Sequence, residues 1–244
     1  MAEAAAPHLG RKTSADGRRP PRIIAVDGSA ASGKSTIGRR LAAYLGYPFL
    51  DTGVMYRAVT YAALREGVDL DDADALSALA SRVRIDVRLP GAGEEGPARV
   101  YLDGEDVTDR LRAPEVEESV SIVSRVAGVR EALVEKQRRI ADAGPIVMAG
   151  RDIGTVVLPD ADLKIYLDAS LEERAARRHR EFETLGRTVS KEEVLADIRR
   201  RDQIDSERAV SPLRPADDAV IIETDGLSQD DVLARVVSLI ADGR

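Results

Sequence analysis

The residues Gly28-Ser29-Ala30-Ala31-Ser32-Gly33-Lys34-Ser35 follow the apolar run Ile23-Ile24-Ala25-Val26 and satisfy the pattern G-x-x-x-x-G-K-[ST]. A loop of this kind gathers several backbone N–H groups around one anion because its glycines allow a tight turn. The helix opening near Ser35 adds the positive end of its dipole. The eight residues, with Thr36 behind them, are therefore the expected cradle for nucleotide phosphates. Lys34 is placed to reach the β and γ phosphates, and the Ser35 hydroxyl, ahead of Thr36, to complete the shell of Mg²⁺.

Arginines gather at other expected strand ends. Asp51-Thr52-Gly53-Val54-Met55-Tyr56-Arg57 follows a second strand, at the edge where open α/β sheets bind ligands, and sets Arg57 on the first turns of a helix, able to fork onto a second phosphate. Gly150-Arg151-Asp152-Ile153-Gly154-Thr155 follows another strand. There Asp152 either pairs with Arg151 or hydrogen-bonds a substrate base, and Arg151 either holds a phosphate or balances Asp152. Arg174, Arg177 and Arg178 share a helix that breaks at Gly186-Arg187-Thr188 before the helix of Arg199, Arg200 and Arg201, which reads as a lid. At ~100° per residue, Asp197, Arg201, Asp205 and Arg208 fall within a band of about 80° if that helix continues to Arg208; a surface ladder of ion pairs has the same spacing.

Phosphoryl transfer explains so many cations, because its transition state spreads negative charge over equatorial oxygens and catalysis is mainly positioning and electrostatics. Lys34, Arg151, Arg174, Arg178 and Arg201 are the candidate catalytic cations. A hydroxyl acceptor would call for a catalytic carboxylate. A phosphate acceptor, with its second ionisation near pH ~6, needs no base.

These residues have to be held by a sheet. From Arg22 onward apolar runs alternate with helical periodicity, the pattern of a parallel sheet covered on both faces. Strands are expected at 23–27, 48–51, 146–149, 163–167 and 219–223, and helices at 34–45, 53–66, 72–81, 114–124, 128–142, 171–185, 191–204 and 229–241. Two short strands, 84–89 and 99–102, joined by the Gly- and Glu-rich turn 90–97, form a small antiparallel insertion. Residues 1–22, rich in Ala, Pro, Gly and Arg, read as a disordered tail without a secretory h-region.

Composition narrows the class. The 244 residues are 43% apolar and 32% charged, and no run is long and apolar enough to suggest a membrane span. With no cysteine and two histidines, His8 and His179, thiolate and multi-histidine metal sites are excluded. A net charge of −7 argues against wholesale nucleic-acid wrapping. The absence of asparagine removes the Asn-Lys-x-Asp guanine signature of a GTPase.

With these pieces placed, the chain resembles the bacterial cytidylate kinases of the nucleoside monophosphate kinase group. The likeness runs from about Arg22 to Leu239. It is carried by Asp27-Gly28 with the phosphate loop, Leu50-Asp51-Thr52-Gly53 with Tyr56-Arg57, and Gly150 to Val157 with Pro159-Asp160-Ala161. Glu172-Glu173-Arg174-Ala175 with Arg177-Arg178, and Arg201-Asp202 through Arg208 to Leu213, add to it. The resemblance implies a P-loop α/β sheet with helices on both faces, a small inserted monophosphate-binding region and a short helical lid. In these terms 23–83 and 143–244 are the core, 178–190 the lid and 84–142 the insertion, of which the part between about Arg84 and Ser124 resembles the extended monophosphate-binding domain of the bacterial type.

It implies ATP as donor, Mg²⁺, and CMP and dCMP as acceptors, in a cytoplasmic monomer without nucleic-acid or membrane partners. Thr52, Arg57, Ser121, Arg130, Arg151, Asp152, Arg201, Asp205 and Arg208 would form the acceptor site. Ser121, Arg151 and Asp152 would read the cytosine edge, Arg57, Arg130 and Arg201 hold the phosphate, and Asp205 with Arg208 the sugar. The residue before Gly150 is usually acidic in that family; here it is Ala149, which leaves Asp27 as the expected carboxylate beside Ser35 for the metal. Competing readings are another small P-loop kinase acting on UMP, AMP or a hydroxylated metabolite, and an ATP-binding, nucleic-acid-associated regulator.

Overall fold

A computed structural model describes residues 20–90 and 96–242. The expected tail lies almost wholly outside the described residues, as does most of the turn 90–97. A five-stranded parallel sheet is built from β1 (Ile23–Gly28), β2 (Phe49–Asp51), β6 (Ile146–Gly150), β7 (Leu163–Asp168) and β8 (Val220–Glu223), in the order β2-β6-β1-β7-β8. β1 is central. Its side chains alternate between two faces, as a strand requires: Ala25 joins the cluster of Met55, Val59, Leu133 and Met148, while Ile24 and Val26 join that of Ile37, Leu41, Ile165 and Val236.

Around the sheet lie α1 (Lys34–Leu45), α2 (Gly53–Glu66), α3 (Ala73–Arg82), α4 (Pro114–Ser124), α5 (Ala127–Asp142), α6 (Leu171–Thr184), α7 (Lys191–Glu207) and α8 (Gln229–Ala241). Their ends have local causes. Gly46 at φ 70° and Gly67 at φ 68° close α1 and α2 in the left-handed region that side chains avoid. Ser190 and Ser228 open α7 and α8 with reciprocal capping boxes, and Pro114 occupies the first turn of α4. The insertion is a separate antiparallel sheet of β3 (Ile85–Arg88), β4 (Arg99–Leu102) and β5 (Glu105–Asp106). Its inward residues Val100 and Leu102 continue the apolar cluster of α2 and α5.

Four features depart from the sequence reading, the first being that third strand β5, since only two strands are expected in the insertion. A 3-10 turn at Thr108–Arg112 begins where Asp106 Oδ1 accepts from Thr108 N at 3.0 Å. A π-helical turn at Ile153–Val157 is held by a carboxylate 126 and 127 residues away, because Asp27 accepts from Ile153 N at 2.8 Å and Gly154 N at 2.7 Å. α7 continues to Glu207, three residues beyond the expected end.

Candidate active site

The carboxyl ends of the parallel strands and the loops after them open onto a cavity of about 1750 Å³, where such sheets bind ligands. The phosphate loop leaves β1 through Gly28, where a Cβ would lie 2.5 Å from Leu167 O and 2.6 Å from Ser32 Oγ. Only glycine fits that approach. Ala31 at φ 59° and Gly33 at φ 94° curl the loop before α1 begins.

Four loop carbonyls accept from cations drawn from three parts of the chain. Arg151 Nη1 donates to Gly28 O at 3.1 Å and Lys34 Nζ to Ser29 O at 2.9 Å. Arg174 Nη1 donates to Ala30 O at 3.3 Å, and Arg177 Nη1 to Ser32 O at 3.4 Å. Burial, reinforced by the neighbouring Arg151 guanidinium, pushes the Lys34 ammonium down to about 7. An approaching polyphosphate reverses that effect, since an opposite charge favours the protonated amine.

Ser35 points elsewhere than expected. Its Oγ donates to Asp51 Oδ2 at 2.7 Å, and Asp51 Oδ1 accepts from Gly53 N at 3.0 Å. Burial raises the Asp51 carboxyl, but Arg57, the Ser35 hydroxyl, Lys34 and the Gly53 N–H outweigh it and hold it below the usual range. Asp27, buried on the π turn, is pushed up to about 6 by desolvation against the two N–H groups it accepts. Asp51 is in register with Ala149 on the adjacent strand, so a carboxylate stands one strand over from the position where the family usually has its acid. Among the described residues no group of three or more His, Cys, Asp or Glu could hold a metal. Ser35 beside an ionised Asp51 suits Mg²⁺, a cation that takes one or two protein oxygens and relies on phosphates and water.

Seven of the acceptor-site candidates fall into two groups. Arg130 and Asp152 form a buried ion pair, 1% and 3% exposed, with Arg130 Nη1 also donating to Ser124 O at 3.1 Å and its guanidinium 5.3 Å from the Tyr56 ring centroid. Ser121 and Thr52 are buried nearby in the same cavity or at its wall, Thr52 Oγ1 donating to Ala149 O at 3.0 Å. In the second group Arg151 Nε donates to Asp205 Oδ2 at 2.6 Å, and Arg208 Nη1 lies 3.5 Å from Asp205 Oδ1. Burial raises the Asp205 carboxyl, and Arg151 and Arg208 overcome that and keep it low. Arg151 therefore pairs with Asp205, and Asp152 with Arg130; the sequence reading had left Asp152 between Arg151 and a base.

The lid residues also find partners. Arg174 reaches Asp202 Oδ2 at 2.7 Å, Arg178 reaches Glu117 Oε2 at 2.9 Å, and Arg201 reaches Asp197 Oδ2 at 2.8 Å and Glu117 O at 2.7 Å. Arg57, half-buried in the same cavity, is influenced by Asp51, Glu117 and Arg201. Thr36 lines the cavity beside Ser35. Asp51 and Glu117 were missing from the sequence-derived site. Asp51 could have been found as the last residue of a strand, whereas Glu117 is one of three glutamates on α4 and carries no distinguishing local signal.

The family model described as cytidylate kinase matches residues 24–242. A cytidylate kinase of Pelotomaculum thermopropionicum is 49% identical over 221 residues, which are 91% of this chain and 96% of that protein. One from Rhodococcus opacus is 51% identical over 221 residues, 90% of this chain and 95% of the relative. A bifunctional pantoate ligase/cytidylate kinase of Synechococcus sp. (strain JA-3-3Ab) is 50% identical over 223 residues, and the chain spans 41% of that protein's length. A phosphate loop facing a second cluster of arginines across one cavity is thus found in a chain that, by the reach of this match, belongs to the cytidylate kinase family.

Proposed function

We propose that the chain transfers the γ-phosphoryl group of ATP to the phosphate of CMP and of dCMP, giving ADP and the nucleoside diphosphate. The observation that carries this reading is Arg151, whose guanidinium joins the loop at Gly28 to Asp205 across the cavity. The donor cradle and the acceptor wall thereby share one cation, and the transferred group passes beside it.

Residues 28–36 hold the triphosphate, with Lys34 on its β and γ oxygens. Arg57, Arg151 and Arg201 face the acceptor phosphate, and Arg174 and Arg178 bring positive charge from the lid helix, where the equatorial oxygens need it. Asp152 accepts from the exocyclic amino group of cytosine. Arg130, with Nη groups on Asp152 and Ser124 O, fixes that carboxylate and stands with Ser121 at the base and not at the phosphate. Asp205 and Arg208 take the sugar. The acceptor oxygen attacks the γ phosphorus, ADP leaves, and no protein base is required.

Ser35 and Asp51 would hold Mg²⁺ and its waters, a reading supported by their contact and by the engagement of both Asp27 oxygens with the π turn. When bound, the cation neutralises charge on the β and γ phosphates. The core-insertion-lid division over 23–83 with 143–244, 84–142 and 178–190 fits this reading, in which the insertion closes on the acceptor. So does a cytoplasmic monomer. Among the described residues no helix is long and apolar enough to cross a membrane.

The test is ADP release with CMP, dCMP, UMP, AMP, GMP and shikimate as acceptors. A strong preference for CMP and dCMP is expected, and its absence overturns the reading.

A further inference from the structure

Glu117 stands apart from its neighbours. Glu115 and Glu118 on the same helix are exposed, but Glu117 is 8% exposed and projects into the cavity. Its Oε2 lies 2.9 Å from Arg178 Nη2 on α6 and 3.4 Å from Arg187 Nη1 in the connection to α7. Its backbone oxygen accepts from Arg201 on α7 at 2.7 Å. One residue of α4 therefore ties down three arginines from the two lid helices and their connection. Two of these, Arg178 and Arg201, are among the cations that the phosphates need.

We propose that Glu117 is a positioning residue that latches the lid, its carboxylate occupying between Arg178 and Arg187 the place of a substrate phosphate and yielding it when phosphate enters, while its backbone oxygen holds Arg201. A carboxylate and a phosphate oxygen satisfy the same guanidinium fork, so one can replace the other without leaving a buried cation unpaired. Burial raises the Glu117 carboxyl, but Arg178, Arg57 and Arg201 overcome this and keep it ionised. The latch keeps the arginines gathered before catalysis and competes with anions for them. Arg187, also 4.4 Å from the Phe182 ring centroid, makes the lid tip part of the device.

The inference rests on the phosphate-handling role proposed above for these arginines, and its test does not depend on the acceptor being CMP. Hydrogen exchange of residues 185–190 is followed in the full chain for the wild type, Glu117→Gln, Arg187→Gln and, as a control, Glu118→Gln. Loss of one charge-assisted hydrogen bond predicts about tenfold faster exchange for Glu117→Gln and a rise in the same direction for Arg187→Gln, with Glu118→Gln unchanged. Inorganic tripolyphosphate should bind Glu117→Gln up to about tenfold more tightly than the wild type, and saturation with it should remove the exchange difference.

A purely structural ion pair would lower stability without tightening anion binding. Unchanged exchange in both variants, or unchanged or weaker tripolyphosphate binding by Glu117→Gln, overturns the latch. If Glu117→Gln does not fold, exchange in Arg187→Gln decides alone. Failure of CMP as acceptor alongside these shifts would overturn the substrate reading and leave the latch standing.

Discussion

Arg151 Nε lies 2.6 Å from Asp205 Oδ2 although 54 residues separate them, and the same guanidinium reaches Gly28 O at 3.1 Å. The loop after β1, the end of β6 and helix α7 meet at one planar fork. Arg151→Ala removes two charge-assisted hydrogen bonds and a cation beside the transferred group, and is expected to lower kcat/KM for the acceptor by about a hundredfold or more. Arg151→Lys should restore little of it, because an ammonium cannot serve both partners in that geometry. Steady-state kinetics varying CMP and ATP separately check this. A lysine variant near wild type contradicts it.

Lys34→Ala should abolish turnover, with a loss of about a thousandfold or more, the scale of removing an electrostatic stabiliser of a transferring phosphoryl group. Near-normal ADP release by this variant would contradict the assignment.

The same lysine predicts a proton linkage. Its folded pKa, lowered to about 7 from the 10.5 of a free lysine, means that between those values the unfolded chain binds up to one more proton here than the folded chain. The site's contribution to stability therefore rises with pH across that window. Bound triphosphate restores the ammonium, so ATP binding should take up almost no proton through Lys34 at pH ~6 and close to one at pH ~8. Calorimetry in buffers of differing ionisation enthalpy measures the uptake, and Lys34→Met should lack it.

Asp152→Asn leaves the Arg130 guanidinium buried opposite a neutral group. Breaking one side of a buried pair typically costs about 3–5 kcal/mol, so a fall in Tm of several degrees is expected with or without nucleotide. An unchanged melting curve would show that the pair is not a structural unit.

Ser35→Ala and Asp51→Asn should each raise the Mg²⁺ concentration needed for half-maximal rate, by about tenfold, whereas the metal dependence of Asp27→Asn should shift less than its stability. Magnesium titrations at saturating nucleotide distinguish the two carboxylates.

The loop 28–35, the five core strands and all eight helices were legible in the sequence because they depend on local causes: apolar periodicity, glycines where a turn demands them, and serine or proline at helix starts. The pairing of β3 with β4 was legible for the same reason; the two-residue strand β5 beside them was not. Which arginine pairs with which carboxylate was not. Arg151 and Asp152 are adjacent in sequence, yet one turns to Asp205 on α7 and the other to Arg130 on α5. Neighbours leaving a strand end can point in different directions, and only the packed helices decide what each meets.

Asp27 and Asp51 make the same point for the proposed metal site. Asp51 ends β2 at the cavity, whereas Asp27, one residue before the end of β1, is buried, and the difference follows from the π turn at 153–157 folding back onto Asp27. Glu117 became distinct from Glu115 and Glu118 only when α4 packed beside the lid. The sequence by itself determined the glycine-rich loop 28–35, the parallel scaffold and the supply of cations, since these rest on chain-local chemistry. Tertiary structure alone decided the pairing of charges, because a buried charge is satisfied by whatever long-range packing brings within a few ångströms of it.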